Sequence, residues 1–271
     1  RPRRLIMRSY KLPGNRLRLL HPNENRGAVT IDEERDYHFR YVLEDNFGNR
    51  RTYQFIVKGK RQDIPEYKPE ANEMLYWNRT NVIQKPGMEL VVPRYYVYED
   101  VPLRTDMRGD SSHIAFDYIL DAGRTPIHSY CDLSIGLRHM PVADTTKYYI
   151  VQKAGKWRSS MGGKYANGWI KTRVRSLGTF SVDVDTIAPQ ITPIGQGGWR
   201  TSRNIRFRIK DMESGIGSYK VYIDGKFVLF GLKKGILVIQ NPEKVKKGVS
   251  HKLEVTVTDQ CGNMTRKEYK F

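Results

Sequence analysis

The residues that most often carry metal or acid–base chemistry are scattered in this sequence. Zinc peptidases commonly hold the metal with H-x-H or H-E-x-x-H, and neither spacing occurs here. His113 and Asp117 form an H-x-x-x-D spacing, but a metal site would need further ligands and no partner motif lies nearby. The six histidines are His21, His38, His113, His128, His139 and His251. We therefore assign no catalytic and no metal-binding residue, and we expect His113 to be an ordinary surface or core histidine.

Nucleophilic chemistry has no better support. There is no G-x-S-x-G elbow, and neither Cys131 nor Cys261 has the flanking pattern of a cysteine protease. Residues 159–164 faintly resemble a phosphate-binding loop, but the spacing differs and no Ser or Thr follows Lys164. We expect a β-hairpin loop there. The two cysteines fall in different predicted domains, so we expect no disulfide between them.

A pair of carboxylates lies near a predicted domain boundary. Asp183 and Asp185 are two residues apart at a strand end, so their side chains point to the same side. Such a pair could bind calcium between two domains, or it could belong to a plain turn or a salt bridge. The sequence leaves both alternatives open.

Aromatic residues beside basic ones are the candidates for ligand binding. Trp157, Trp169 and Lys156 could contribute to a surface on which sugars or bases stack. Because side chains alternate along a strand, about half of the nearby aromatic residues should belong to the core instead. The other residues concerned are Tyr95, Tyr96, Tyr98, Tyr148 and Tyr149. Trp157, Trp169 and Lys156 are thus our binding candidates.

The charge of the chain favours acidic partners. Its 47 Lys and Arg residues exceed its 29 Asp and Glu residues, which gives a net charge of +18. Nucleic acid, anionic lipid and anionic cell-wall polymers all fit such a charge. The basic residues are spread along the chain, with short clusters only at Arg1, Arg3, Arg4 and at Lys244, Lys246, Lys247. We expect most of them to lie on solvated surfaces.

The hydrophobic pattern has the period of β-strands. Apolar and polar residues alternate over 37–45, 52–59 and 252–259, and similar runs recur along the chain. Helical periodicity is weak, and only residues 112–120 are expected to form a short helix. No apolar run approaches the length of a membrane span, and no signal peptide precedes the first strands. The sequence therefore predicts an all-β protein, read either as a fragment of a longer protein or as a processed chain.

One turn occurs twice. Residues 45–49 and 259–263 both read D-x-x-G-N, each after an alternating strand and before a basic, aromatic one. Asp can accept hydrogen bonds from turn amides, while Gly and Asn tolerate a left-handed backbone. The positions concerned are Asp45, Gly48, Asn49, Asp259, Gly262 and Asn263. The repeat predicts two related hairpins, and hence two homologous β-domains.

The expected architecture is a tandem of immunoglobulin-like or fibronectin-like β-sandwich domains. Residues 1–60 are predicted to be the C-terminal half of a truncated immunoglobulin-like domain, and 61–69 a linker. Residues 70–185 are predicted to form a middle β-sandwich, and 186–271 a C-terminal immunoglobulin-like domain.

Several stretches taken together resemble the C-terminal region of Gram-negative cell-envelope zinc metallopeptidases of the lysostaphin (LytM) type. The most specific are Gly-Gly-x-Tyr-x-Asn-Gly-Trp at 162–169 and Asp-Thr-x-Ala-Pro at 185–189. That family cleaves peptidoglycan at a zinc site. The residues that hold the zinc come from an H-x-x-x-D motif and a later H-x-H motif. The H-x-H is missing here, so no catalytic residue is carried over. The resemblance implies that zinc is held only by an upstream catalytic module and that the chain lies in the periplasm or outer envelope.

The resulting expectation is a non-catalytic accessory region that spaces or docks the catalytic module of a peptidoglycan endopeptidase. The alternative is a free-standing envelope adhesin or glycan-binding protein. The expected partner is a cell-wall or other anionic envelope polymer, or an envelope protein. Nucleic acid is a disfavoured partner, because only the net charge of the chain supports nucleic-acid binding.

Overall fold

The computed structural model describes residues 10–63, 65, 70–110, 112–121, 123 and 125–271. The basic residues Arg1, Arg3 and Arg4 and part of the predicted linker lie outside the described residues. Strands account for 47% of the chain and helices for 5%, so the prediction of an all-β protein is confirmed. The chain divides into two compact units, Arg1–Glu70 and Ala71–Phe271. No helix in the described part is long and apolar enough to span a bilayer.

The first unit is built around a two-stranded antiparallel sheet, β1 (Asp36–Glu44) and β2 (Arg50–Lys58). Its register places Phe39 opposite Phe55 and Tyr41 opposite Tyr53. The rings of Phe39 and Phe55 stack with their centres 5.0 Å apart. Cross-strand aromatic pairs of this kind stabilise a hairpin. The predicted truncation of an immunoglobulin-like domain within residues 1–60 stays a prediction.

The second unit begins with a β-sandwich of two antiparallel sheets. Its six-stranded sheet has the order β10-β9-β13-β7-β6-β3, and its five-stranded sheet the order β11-β12-β8-β5-β4. The strands are β3 (Glu73–Leu75), β4 (Asn81–Lys85), β5 (Met88–Val92), β6 (Val101–Arg108), β7 (Asp117–Asp121), β8 (Cys131–Gly136), β9 (Tyr148–Ala154), β10 (Trp157–Ser160), β11 (Lys164–Ala166), β12 (Trp169–Val174) and β13 (Gly178–Val184). A short 3₁₀ helix, Thr145–Lys147, precedes β9.

Period-two burial explains how this sandwich forms. In β5, Met88, Leu90 and Val92 are buried while the residues between them are only half-buried. Leu133 and Ile135 of β8 are fully buried on the same inner face. The two inner faces thus make one apolar core, and polar side chains are left on the outer faces.

A second sandwich completes the unit. Its sheets have the orders β14-β15-β19-β18 and β17-β16-β20-β21. The strands are β14 (Gln190–Ile194), β15 (Arg206–Lys210), β16 (Ile216–Ile223), β17 (Lys226–Phe227), β18 (Phe230–Lys233), β19 (Ile236–Ile239), β20 (Lys252–Asp259) and β21 (Met264–Lys270). The helical segments are α1 (Trp199–Ser202) and the 3₁₀ turns Gln196–Gly198 and Pro242–Lys244.

The two D-x-x-G-N turns have the same hydrogen bonds. Asp45 Oδ1 accepts from the amides of Phe47 and Asn49, and its Oδ2 from Asn49 Nδ2 at 2.9 Å. Asp259 Oδ1 likewise accepts from the amides of Cys261 and Asn263, and its Oδ2 from Asn263 Nδ2. Gly48 and Gly262 have φ of +82° and +80°. A positive φ of this size is why glycine occupies the fourth position.

The short helix expected at residues 112–120 does not form, and that prediction was wrong. Residues 117–121 instead make β7, which pairs with β6 on one side and β13 on the other. Tyr118 and Leu120 are buried with their neighbours partly or fully exposed, so pairing within the sheet decides the conformation.

Candidate functional site

The outer face of the five-stranded sheet carries a row of aromatic and basic side chains. In β12, Ile170 and Val174 are buried, so Trp169, Lys171 and Arg173 lie on the opposite, outward side. Successive outward residues of a strand are about 7 Å apart. The row therefore presents a ring and two cations at regular intervals along one strand.

Neighbouring strands extend this row. Lys164 of β11 lies directly opposite Lys171, and Ser134 of β8 lies opposite it on the other side. We call Lys164, Trp169, Lys171, Arg173 and the adjoining Tyr130 the aromatic–basic face. The guanidinium of Arg173 lies 5.9 Å from the ring centre of Tyr130.

Two rings mark the ends of the aromatic–basic face. The indole of Trp169 lies over Gly136 of β8, where a Cβ would be 3.6 Å from two of its ring atoms. The ring therefore packs against the backbone of β8 at this position. Tyr130, which immediately precedes β8, is 54% exposed at the other end. Both rings leave surface available to a ligand that stacks on them.

The cations of this face differ in their neighbours, because Arg173 lies directly opposite Asp132 of β8. Among the described residues, neither Lys164 nor Lys171 has an ion-pair partner. Like charges directly opposite one another on paired strands are destabilising. Glu89 and Asp132 line the other side of the same shallow groove, whose volume is about 590 Å³. The groove therefore has basic side chains on β11 and β12, with carboxylates on the adjoining strands β8 and β5.

The structure does not bring together all the binding residues that the sequence predicted. Trp169 belongs to the aromatic–basic face, whereas Trp157 begins β10 in the other sheet, where it is 80% exposed beside Lys156. Trp157 lies opposite Ala154, at the end of a hairpin. Trp157 and Lys156 stay candidates for a separate contact.

The other tyrosines do not divide by strand alternation, because two consecutive ones in β9 are both buried. Tyr148 and Tyr149 are buried. Tyr95, Tyr96 and Tyr98 are half-buried in the loop between β5 and β6, and the hydroxyl of Tyr98 lies 2.7 Å from Nδ1 of His128. This loop therefore adds aromatic surface to the end of the sandwich at which Tyr130 lies.

Sequence reasoning missed Lys164, Lys171, Arg173 and Tyr130. The alternation in residues 169–174 could have identified part of this face, because Trp169, Lys171 and Arg173 share one side of any strand formed there. Which residues lie across from them depends on strand register, which the sequence does not reveal.

The side chains of His113 and Asp117, which have the H-x-x-x-D spacing, are not arranged as ligands of one metal ion. Nδ1 of His113 lies 2.9 Å from a carboxylate oxygen of Asp110, and Asp117 is paired with Lys153 at 2.5 Å. Burial raises the pKa of both Cys131 and Cys261 to about 11. Their thiols are therefore protonated at neutral pH and are not suited to act as nucleophiles.

Three carboxylates from distant parts of the sequence meet between the two sandwiches of the second unit. Asp185, Asp211 and Asp259 each place an oxygen within 4.8 Å of the others. Asp185 and Asp259 are buried, and Asp211 is half-buried. Oxygens at this spacing could hold a calcium ion. Asp183 is not part of the group, because it pairs with Arg158 at 2.7 Å.

Backbone amides hold these carboxylates in place. Asp185 accepts from the amides of Ile187 and Ser214 through different oxygens, and thereby ties the linker to the second sandwich. Asp211 accepts from the amide of Gly215 at 2.7 Å through one oxygen, Oδ2, and no amide contact to its other oxygen is seen in the described part. Burial raises the pKa of Asp259, and the charge of Asp185 raises it further.

We expect Asp211→Asn to stabilise the chain by about 1 kcal/mol at neutral pH in the presence of a chelator. The substitution removes one of three clustered charges, and the remaining oxygen can keep the amide hydrogen bonds. Thermal denaturation measures the effect. Asp121→Asn is the control, because Asp121 is exposed and also accepts an amide bond through one oxygen. Destabilisation by Asp211→Asn, or an equal gain in the control, would contradict this interpretation.

The ionisation of buried Asp259 should make the stability of the chain depend on pH. The pKa of Asp259 is raised above its ordinary 3.8, so the folded chain binds this proton more tightly than the unfolded chain. Its contribution to stability is therefore present at low pH and is lost as pH rises through the folded-state pKa. The stability of the unaltered chain should accordingly fall over the same range, which thermal denaturation at a series of pH values measures.

Comparisons with known proteins match the first sandwich to a family. Residues 72–185 match the model of a Zu5-like domain. A search of curated proteins gave no match. Among solved structures, the chain shows 10% identity and a TM-score of 0.22 to a Ca²⁺-stabilised adhesin with which an Antarctic bacterium binds ice, covering 87% of this chain and 80% of that one.

A polysaccharide lyase shows 8% identity and a TM-score of 0.22, covering 86% of this chain. The chain spans 38% of the length of that lyase. Neither structural similarity identifies a ligand for this chain.

Proposed function

We propose that the chain is a binding module and that its first sandwich binds an acidic polysaccharide along the aromatic–basic face. The observation that carries the proposal is the pair Lys164 and Lys171, opposite one another between the rings of Trp169 and Tyr130. Two adjacent cations without a partner in the described part of the chain are stabilised when an anion binds between them.

The chemistry of the face fits a sugar chain with carboxylates. Aromatic rings offer flat apolar surface for the faces of sugar rings, and a few fixed polar groups then set the orientation. Arg173 can bind a carboxylate with two parallel hydrogen bonds, whereas the lysines act as point charges. The interval of about 7 Å between outward residues allows successive sugars to reach successive side chains.

The overall charge supports capture of such a ligand. A net charge of +18 attracts polyanions over distances longer than direct contacts and raises their association rate. An attraction of this kind is weakened by salt, whereas stacking on the rings is affected little.

Titration calorimetry with a linear polyuronic acid and a neutral glucan tests the proposal. We expect the polyuronic acid to bind, with an affinity that falls as salt is added, and the neutral glucan to bind much more weakly. Equal binding of both polymers, or no binding of the polyuronic acid at low salt, would refute it.

The role of the whole protein in the cell envelope is a separate proposal. A glycan-binding region fits both a free-standing envelope adhesin and an accessory region that docks a peptidoglycan endopeptidase in the periplasm or outer envelope. The upstream coding sequence distinguishes them, since a module with H-x-G-x-D and H-x-H would mark the peptidase.

A further inference from the structure

One face of the hairpin β1–β2 is apolar and largely open to solvent. The strand register puts Phe39 opposite Phe55 and Tyr41 opposite Tyr53, so these four rings share one face. Leu43 belongs to the same face, because it follows Tyr41 by two residues in β1. Tyr41 is 44% exposed, Leu43 60% and Tyr53 64%. We call these five side chains the hairpin face.

The opposite face of the hairpin is mostly polar. Its polar members include His38, Arg40 and Gln54, and its apolar ones are Val42 and Ile56. The two faces therefore differ as the inner and outer faces of a sandwich sheet differ, with the hairpin face in the inner position. A two-stranded hairpin is at best marginally stable alone, so a face of this kind normally packs against further structure.

The second sandwich contains the same hairpin, β20–β21. Both hairpins have the D-x-x-G-N turn, and their registers agree when the two turns are aligned. Leu253 lies opposite Tyr269 in β20–β21, and these positions correspond to Phe39 and Phe55 of β1–β2. The second sandwich thus shows what surrounds such a hairpin in a complete domain.

The equivalent of the hairpin face is covered in the second sandwich. The inner residues of β20 are fully buried, whereas those of β1 are half-buried or exposed. The corresponding pairs are Leu253 and Phe39, Val255 and Tyr41, and Val257 and Leu43. The rings of Trp199 and Phe207 pack on Tyr269, with centres 5.9 and 5.4 Å from its own. Among the described residues, the ring contacts of Phe55 are all with rings of its own hairpin.

The side of β1 away from β2 is also open. In an antiparallel pair, successive residues of a strand bond alternately to one side and to the other. The amide of Asp45 donates to the carbonyl of Asn49, so every second residue counted back from Asp45 bonds towards β2. The residues between them, among them His38, Arg40 and Val42, direct their backbone groups to the outer edge. The corresponding edge of β20 is paired with β16, whereas β21 ends its sheet as β2 does.

We propose that β1–β2 is the last hairpin of an immunoglobulin-like sandwich, in which a further strand pairs with the outer edge of β1 and a second sheet covers the hairpin face. The elements that do this in the second sandwich, β14–β19, precede their hairpin in the sequence. Residues 10–35, which precede β1, contain no strand. The covering elements therefore come from polypeptide upstream of the residues that the structure describes. Polysaccharide binding by the aromatic–basic face is independent of the hairpin, which belongs to the other unit.

Extension of the chain along its own gene tests this arrangement. The longer chain adds, upstream of residues 1–271, a segment as long as residues 190–251, which hold the covering strands of the second sandwich. Amide hydrogen exchange is then compared between the two chains by NMR. We expect the amides of Arg40 and Val42 to exchange at least about tenfold more slowly in the longer chain. The amide of Gln54, at the free edge of β2, should exchange at the same rate in both.

Adjacent residues of β1 provide a matched pair of variants. Leu43 belongs to the hairpin face and Val42 to the opposite face, with exposed fractions of 60% and 47%. In the longer chain, Leu43→Ser should speed exchange at Arg40 about tenfold or more, because it replaces a core side chain by a polar one. Val42→Ser should change the rate less than about threefold. Circular dichroism establishes that each variant is folded.

Four results would overturn the proposal. One is unchanged exchange at Arg40 and Val42 in the longer chain, and another is an equal effect of the two serine variants there. A gene without an upstream segment of this kind would equally contradict it. The last is slower exchange at Arg40 as the concentration of residues 1–271 rises, because a second copy would then cover the hairpin.

Discussion

Replacing Lys164 and Lys171 together by glutamate is expected to weaken binding of a polyuronic acid by at least about 30-fold, equivalent to about 2 kcal/mol. These side chains lie directly opposite one another and provide the densest positive charge on the aromatic–basic face. Reversing them places two carboxylates beside Asp132 and Glu89, which line the same groove. The added carboxylates then repel the ligand, although Arg173 still lines the groove.

Titration calorimetry of this variant needs a control for net charge. Lys246→Glu with Lys247→Glu changes the net charge equally on an exposed segment of the other sandwich. We expect that control to lose only a few-fold in affinity at low salt, through weaker long-range attraction. If both variants lost the same affinity, binding would depend on overall charge and not on this face.

Trp199→Ala is expected to have the largest effect on stability, a loss of about 3–5 kcal/mol in the free energy of unfolding. Trp199 is fully buried in the second sandwich. The ring centres of Phe207, Tyr269 and Phe271 lie 5.0 to 5.9 Å from its own. Its Nε1 also donates to the carbonyl of Ile194, which the substitution leaves without this partner.

Urea denaturation followed by circular dichroism measures this loss. Trp157→Ala is the matched control, because Trp157 is 80% exposed and its removal should change stability by less than about 0.5 kcal/mol. A loss below about 1 kcal/mol in Trp199→Ala would show that the second sandwich does not depend on this aromatic cluster.

The fold class was predictable because strand alternation is a local property. Residues 252–259 alternate in sequence, and Leu253, Val255 and Val257 are all fully buried on one side. The failure at 112–120 has a different cause. Nothing local fixes the conformation of 117–121, and its two neighbouring strands, which are distant in sequence, make it a strand.

The sites were less predictable, since they depend on strand register. Trp169 was identified from its type, but Lys164 faces Lys171 only because β11 pairs with β12 in one particular alignment. Likewise, the sequence places Asp185 beside Asp183, whereas the structure places it with Asp211 and Asp259. Such groupings arise from contacts between distant segments, and no spacing in the sequence encodes them.

The most direct test of the proposed binding is to map the ligand on the chain. Backbone amide chemical shifts of the isotope-labelled protein can be followed during a titration with a polyuronic acid oligosaccharide. We predict that the largest changes occur at Lys164, Trp169, Lys171 and Arg173, with smaller ones at Tyr130. Changes confined to other surfaces, or no changes at saturating ligand, would contradict the assignment of the aromatic–basic face as the binding site.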